Sequence, residues 1–301
     1  MLRSPTISLL ACASALLAGA SPARSQTLSP ELLEAVRAGP SEVRLDGDSA
    51  SIPLHGPRNL PLIEARVNGT GPWRLLVDLG SNVVIFRRDV IDPAGAEVVV
   101  ERSGTDIVRL DSLRIGDVLY TDVYGGSYDE LDVDGVIGYN ALGSLPFTLD
   151  FPGRRLVVHR DSLPSADGRA ILDYVVVDRL PYILARLGAD TLRLNFDTGA
   201  TNRIVFPAVW KDRLPLAGPV RGGPVLSNNQ TGTTTTELAP LSESITFGGF
   251  TIDAPTVILD PDVSDAWLGA GLLVDYVLDF DPDRLRVRIR GPAVAGPSAD
   301  P

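Results

Sequence analysis

Among its 301 residues the chain has one cysteine, Cys12, one lysine, Lys211, and two histidines, His55 and His159. Each scarcity removes a class of chemistry. One cysteine permits no intrachain disulfide, so stability has to come from packing. Two histidines far apart in sequence leave little for a His/Cys metal site or a Ser-His catalytic pair. Basic side chains are outnumbered 27 to 38 by acidic ones, for a formal charge of −11. A chain without a cationic field does not attract nucleic acid. Long apolar runs are missing too. The stretch Ile7 to Ala20 is about 14 residues, short of the roughly 20 that a membrane-spanning helix needs. What remains, 44% hydrophobic and 22% charged residues, is the composition of a folded globular protein.

The N-terminus reads as an address. Arg3 precedes the apolar stretch, and small residues follow it from Ala18-Gly19-Ala20 to Ala23-Arg24-Ser25, the layout of a secretory signal peptide. Residues 1–25 are therefore expected to be removed, taking Cys12 with them, and the product to be exported to the periplasm or the extracellular space. A lipid-anchored reading of Cys12 fits less well, since too little apolar chain precedes it. Residues 26–44 form an N-terminal arm with one short helix: Ser29 as N-cap, Pro30 at the first position, Glu31 to Ala38, and a stop at Gly39-Pro40. Residues 292–301, rich in Pro, Gly and Ala, read as a disordered tail.

The middle of the chain repeats itself. Leu60-Pro61-Leu-Ile-Glu-Ala65-Arg66 returns as Leu180-Pro181-Tyr-Ile-Leu-Ala185-Arg186. Arg74-Leu-Leu-Val-Asp78-Leu-Gly80-Ser81 returns as Arg193-Leu-Asn-Phe-Asp197-Thr-Gly199-Ala200. Two closing blocks follow in the same order. Asp134-Gly-Val-Ile-Gly138 matches Asp265-Ala-Trp-Leu-Gly269, and Leu149-Asp150-Phe151 matches Leu278-Asp279-Phe280. Most of these segments are strand-like. Ile63, Ala65 and Val67 alternate with polar residues, as do Leu192, Leu194 and Phe196. The expected organisation is a lobe at 45–160, a linker at 161–170 and a second lobe at 171–291.

Each repeat carries Asp-x-Gly-Ser/Ala after an apolar strand, and the glycine allows a tight turn that presents the aspartate at the strand end. If the lobes pack about a pseudo-twofold axis, Asp78 and Asp197 meet. Two adjacent carboxylates share a proton. The charged member can then activate a water while the protonated member polarises a carbonyl. At these residues the sequence resembles the aspartic peptidase clan, the pepsin-like and retropepsin-like bacterial aspartyl proteases with two fused lobes. Phe196-Asp197-Thr198-Gly199-Ala200 is similar to its Asp-Thr-Gly turn, and Val136-Ile137-Gly138 and Trp267-Leu268-Gly269 to its apolar-apolar-Gly element.

The resemblance implies an all-β, bilobal fold with homologous lobes related by a pseudo-twofold axis, and a monomeric aspartic-type endopeptidase, a hydrolase acting in proteolysis. Asp78 and Asp197 would form the dyad, Gly80 and Gly199 shape the turns, and Ser81 and Thr198 support them. The substrate would be a peptide or protein in extended conformation, with no cofactor and no metal required. Ser81 is expected to donate to Asp78, making Asp78 the charged member and Asp197 the protonated one, and activity to favour acidic pH. Flap hairpins are expected within Val98 to Leu110 and at the polar loop Ser227 to Glu237. Leu79 stands where the family has Thr or Ser. Thr198 can bond the opposite turn, but Leu79 cannot return the bond. The alternative reading is thus a catalytically weak or inactive peptide- or envelope-binding protein on the same fold.

Overall fold

The computed structural model describes residues 28–102, 104–129, 131–228 and 232–291. The expected signal peptide and tail lie outside them. In the first half the strands are β1 (Glu42–Leu45), β2 (Ser49–Pro53), β3 (Leu62–Val67), β4 (Thr70–Asp78), β5 (Val84–Arg87), β6 (Glu97–Val100), β7 (Thr105–Ile115), β8 (Val118–Tyr128), β9 (Gly135–Gly138), β10 (Phe147–Asp150) and β11 (Arg155–His159). The second half has β12 (Ile171–Asp173), β13 (Val175–Val177), β14 (Leu180–Leu187), β15 (Asp190–Asp197), β16 (Ile204–Pro207), β17 (Arg221–Asn228), β18 (Gly232–Pro240), β19 (Ile245–Phe247), β20 (Phe250–Ile252), β21 (Thr256–Asp260), β22 (Ala266–Gly269), β23 (Val277–Asp281) and β24 (Arg286–Arg290). The helices are short: α1 (Pro30–Ala38), α2 (Arg88–Ala94), α3 (Tyr139–Leu142) and α4 (Ala270–Leu273), with a 3₁₀ turn at Ala208–Arg213.

These elements make three sheets. Lobe one is an eight-stranded sheet in the order β1-β8-β5-β9-β4-β3-β7-β6, and lobe two a ten-stranded sheet running β17-β18-β21-β16-β22-β15-β14-β19-β20, with β13 beside β14. The repeat seen in the sequence is a repeat of pairing. β4 runs parallel to β9 with Asp78 beside Gly138, and β15 runs parallel to β22 with Asp197 beside Gly269. In both lobes the next strand, β5 or β16, pairs antiparallel with that parallel partner. The hairpins β6–β7 and β17–β18 occupy equivalent places.

The third sheet joins the halves, in the order β12-β24-β23-β10-β11-β2. At its centre β10 and β23 pair antiparallel with Leu149 opposite Leu278. These two leucines are equivalent in the repeat, so the pseudo-twofold axis passes between them. One main core runs through both lobes and this sheet. Phe147 stacks on Phe280 with ring centroids 5.0 Å apart, and Phe196 meets Phe280 edge-on at 5.4 Å.

Alternation along β4 and β15 divides each sheet into two apolar faces. Leu75 and Val77 point into the main core, whereas Leu76, in step with Asp78, points into a separate cluster. In lobe two, Leu194 and Phe196 enter the main core and Asn195 and Asp197 take the other side. The expected boundary between arm and lobe at 44/45 falls inside β1, whose Glu42 to Leu45 pair with β8. The arm ends as an edge strand of lobe one because Leu45 carries buried apolar area there.

Candidate active site

Asp78 and Asp197 end equivalent strands and are brought together at the lobe junction, 1% and 2% exposed. Their carboxyls hydrogen-bond each other. The glycines that follow them explain how two backbones come so close. A Cβ on Gly80 would lie 2.7 Å from Asp197 Cγ, and one on Gly199 would lie 2.5 Å from Asp78 Oδ2. Neither glycine has a positive φ. Their necessity is therefore the close approach of the opposite carboxyl, not the tight turn expected from the motif. Each turn forms a floor beneath the other lobe's aspartate, and this crossed arrangement holds the two carboxyls against each other.

The backbone supplies the donors. Gly80 N–H donates to Asp78 Oδ1 at 2.8 Å, and Gly199 N–H reaches across the junction to the same oxygen at 3.2 Å. Ala200 N–H donates to Asp197 Oδ1 at 2.9 Å. Thr198, fully buried, spans the lobes. Its hydroxyl donates to Val77 O at 2.7 Å and accepts from Leu79 N–H at 3.0 Å. The reciprocal bonds, from residue 79 to the backbone around Phe196 and Thr198, are not made, because Leu79 has no polar side-chain atom. Leu79 packs into the main core instead.

Ser81 does not support the dyad in the expected way. Its hydroxyl donates to Val83 O at 2.9 Å, and only its backbone N–H bears on Asp78. The carbonyl of Val83 takes the hydroxyl proton, and Val83 N–H approaches the same Oγ at 3.5 Å, so local backbone competes with any bond to Asp78.

Burial pushes the carboxyl of Asp78 up to about 6, against the opposing pull of the N–H groups of Gly80 and Gly199 and the neighbouring carboxyl. Asp197 is raised well above the ordinary range, first by burial and then by the charge on Asp78. Backbone N–H donation is uneven, with both Gly80 and Gly199 on one Asp78 oxygen, and the Ser81 hydroxyl takes no part in it.

Sequence reading passed over the asparagines around the dyad. Asn82 Nδ2 donates to Asp178 O at 2.8 Å, and Asn59 Nδ2 to Thr201 O at 3.4 Å, each linking one lobe to the other beside a turn. Asn82 and Thr201 occupy equivalent positions in the repeat, which is the signal that could have singled them out. The hairpins expected over the cleft exist as β6–β7 and β17–β18. The tip of the second, 229–231, lies outside the described residues. Among the described residues no group of three or more His, Cys, Asp or Glu side chains is placed to hold a metal ion, and no helix is long and apolar enough to cross a membrane.

No protein-family model matches the sequence, and no curated protein matches it. Solved structures do. An aspartic proteinase from Irpex lacteus is 14% identical, with 81% of this chain and 97% of that one covered at a TM-score of 0.49. A retropepsin-like aspartic protease from Rickettsia conorii is 18% identical over 40% of this chain and 93% of its own, at a TM-score of 0.32.

Proposed function

We propose that the chain is an aspartic-type endopeptidase that cleaves peptide bonds with a water activated between Asp78 and Asp197. The observation that carries the reading is the crossed frame of the dyad: two buried carboxyls in mutual hydrogen bond, each seated on the other lobe's glycine turn. A pair that shares one proton can run both halves of amide hydrolysis. Asp78, charged, takes a proton from water as its oxygen attacks the carbonyl carbon. Asp197, protonated, gives its proton to the carbonyl oxygen. On collapse the C–N bond breaks, the proton on Asp78 passes to the leaving nitrogen, and Asp197 recovers one from the gem-diol. The chain supplies both halves of the site, so the reading needs no second copy. An extended peptide fits it, hydrogen-bonding strand-like to the hairpins. Export, as read from residues 1–25, belongs to the same proposal.

The raised carboxyls move the expected working range. The singly protonated dyad forms as pH rises through about 6 and persists until Asp197 ionises. The acid limb of a bell-shaped profile is therefore expected near pH 6, higher than the acidic optimum implied by the resemblance. The test is cleavage of a diverse peptide mixture between pH 3 and 8 by the parent and by Asp197→Asn, read by mass spectrometry. Cuts present in the parent and absent from the variant support the reading. Silence from both, in folded protein, moves the assignment to the second reading, peptide binding without cleavage, which the missing return bonds at Leu79 favour.

A further inference from the structure

The two lobes are filled differently behind their aspartate strands. In lobe one α2 follows β5 and buries Val90, Ile91 and Ala94 in the main core. Asn68 Nδ2 fastens its end by donating to Ala94 O at 3.2 Å. In lobe two the same place, after β16, holds the 3₁₀ turn Ala208–Arg213, which buries none of its residues. A cavity of about 410 Å³ remains, within the roughly 300–1,000 Å³ of small-molecule sites. Leu192, Leu214 and Trp210 give it an apolar wall. It lies at the far end of the strand that carries Asp197. Asp190, among its lining residues, opens that strand, on the order of 23 Å before the dyad.

Charged side chains line the same cavity, and among the described residues Asp265, Arg193 and Arg213 have no ion-pair partner. Lobe one shows what Asp265 lacks. Its counterpart Asp134 takes the Arg87 guanidinium at 2.9 Å and the Arg74 N–H at 2.7 Å. Pro207 stands in the place of Arg87, and what Asp265 receives is the neighbouring Ser264 hydroxyl at 3.4 Å. Asp265 is half-buried. A carboxylate so placed is a ready acceptor for the charge-assisted bonds that a planar guanidinium makes in pairs. Arg193, one step before the paired Leu194 and Ala266, does not replace Arg87. Its guanidinium turns to the Tyr182 ring, 5.8 Å from the centroid. Arg213 lies over the Trp210 ring at 4.1 Å. Stacking occupies the face of a guanidinium and leaves its in-plane N–H donors available to an anion.

We infer that the lobe-two cavity is a binding site for a free, guanidinium-bearing amino acid. Its guanidinium sits on Asp265, its aliphatic stem on Leu192 and Leu214, and its carboxylate on Arg213. Such a ligand supplies to Asp265 from outside what Arg87 supplies to Asp134 from within. Binding here requires nothing of the dyad, and its test does not read cleavage. Calorimetric titration of the full chain uses three probes at millimolar concentration: L-arginine, agmatine, which lacks the carboxylate, and citrulline, which has a neutral urea in place of the guanidinium. Three variants go with them. Asp265→Asn removes the acceptor charge, Arg213→Ala removes the anion contact, and Pro207→Arg returns the guanidinium of lobe one to Asp265. Thermal melting shows that each variant is folded.

The parent should bind L-arginine about tenfold more tightly than citrulline, the worth of one charge-assisted contact. Asp265→Asn should weaken L-arginine by about the same factor, and Pro207→Arg, with its own guanidinium on Asp265, by at least as much. Arg213→Ala should bring L-arginine down to the affinity of agmatine. Absence of L-arginine binding to the folded parent overturns the site. So does citrulline binding as well as L-arginine, since the guanidinium is then not read. L-arginine binding that Asp265→Asn leaves at the parental level lies elsewhere on the molecule, and the site is overturned on that result too, whatever Pro207→Arg does. Agmatine equal to L-arginine on the parent overturns the placement of the carboxylate on Arg213.

Discussion

The two aspartate turns are copies in backbone and opposites in side chain. In lobe two, Thr198 reaches over and ties down Val77 and Leu79. In lobe one the matching residue is Leu79, which packs into the core and ties down nothing across the axis. The lobes differ the same way further along. Asp134 is held by Arg87 Nη2 at 2.9 Å and by the N–H of Arg74 at 2.7 Å, while Pro207 stands in the place of Arg87 beside its counterpart Asp265. Backbone closeness at the axis needs glycine on both sides, while the hydroxyl bonds that tie the turns together come from lobe two alone.

That comparison can be broken at several points. Asp78→Asn or Asp197→Asn should lower peptide cleavage on the order of 10²–10⁴-fold, since each removes one half of the proton relay. The assay is turnover of the peptide that the parent cuts best. Thr198→Val keeps the shape and deletes the lock, leaving Val77 O and Leu79 N–H buried without partners. Denaturant unfolding should show a loss of about 2–4 kcal/mol.

The pH dependence of stability follows from both carboxyls being raised. The folded dyad holds protons that the unfolded chain releases near 3.8, so stability falls as pH rises from about 4 through 6 and beyond. Asp197→Asn, which cannot ionise, should melt higher than the parent at pH 7. The gap should close toward pH 4, and calorimetry across that range measures it.

Leu79→Thr makes the lock mutual. Lost core packing, roughly 1–3 kcal/mol, is offset by new bonds to lobe two. Stability should stay within about 1–2 kcal/mol of the parent while cleavage rises; unchanged cleavage would show that one lock suffices. Smallest of all, Arg87→Ala should cost less than about 1 kcal/mol, and Pro207→Arg should leave lobe two within the same margin.

The dyad was legible because two strands with the same alternation end in the same turn, and period-two patterning puts Asp197 opposite Phe196 whatever the rest of the chain does. The closing blocks were legible as a repeat, but Leu149 and Leu278 pairing with each other was not. Strand partners lie outside any local pattern. The orientation of Ser81 was misread because two acceptors compete for its hydroxyl, and only the placed backbone decides between them. Helix α1 was readable from Ser29, Pro30 and Gly39, yet the spacing of Leu32 and Val36 within it names an apolar side without naming what that side meets. Reading residues 26–44 as an N-terminal arm with a short helix found the segment and left its seat undetermined.

The six-stranded sheet has a consequence for how the chain is made. β10, finished by residue 150, offers one edge to β11 and the other to β23, which begins only at residue 277. Until those last residues join the sheet, the first half carries an unpaired strand with Phe147 and Leu149 on it, an edge prone to wrong partners. A chain truncated before β23 should therefore associate with itself or with a chaperone, and restoring the final hairpin β23–β24 should prevent this. Maturation of the first half is timed by the arrival of the last.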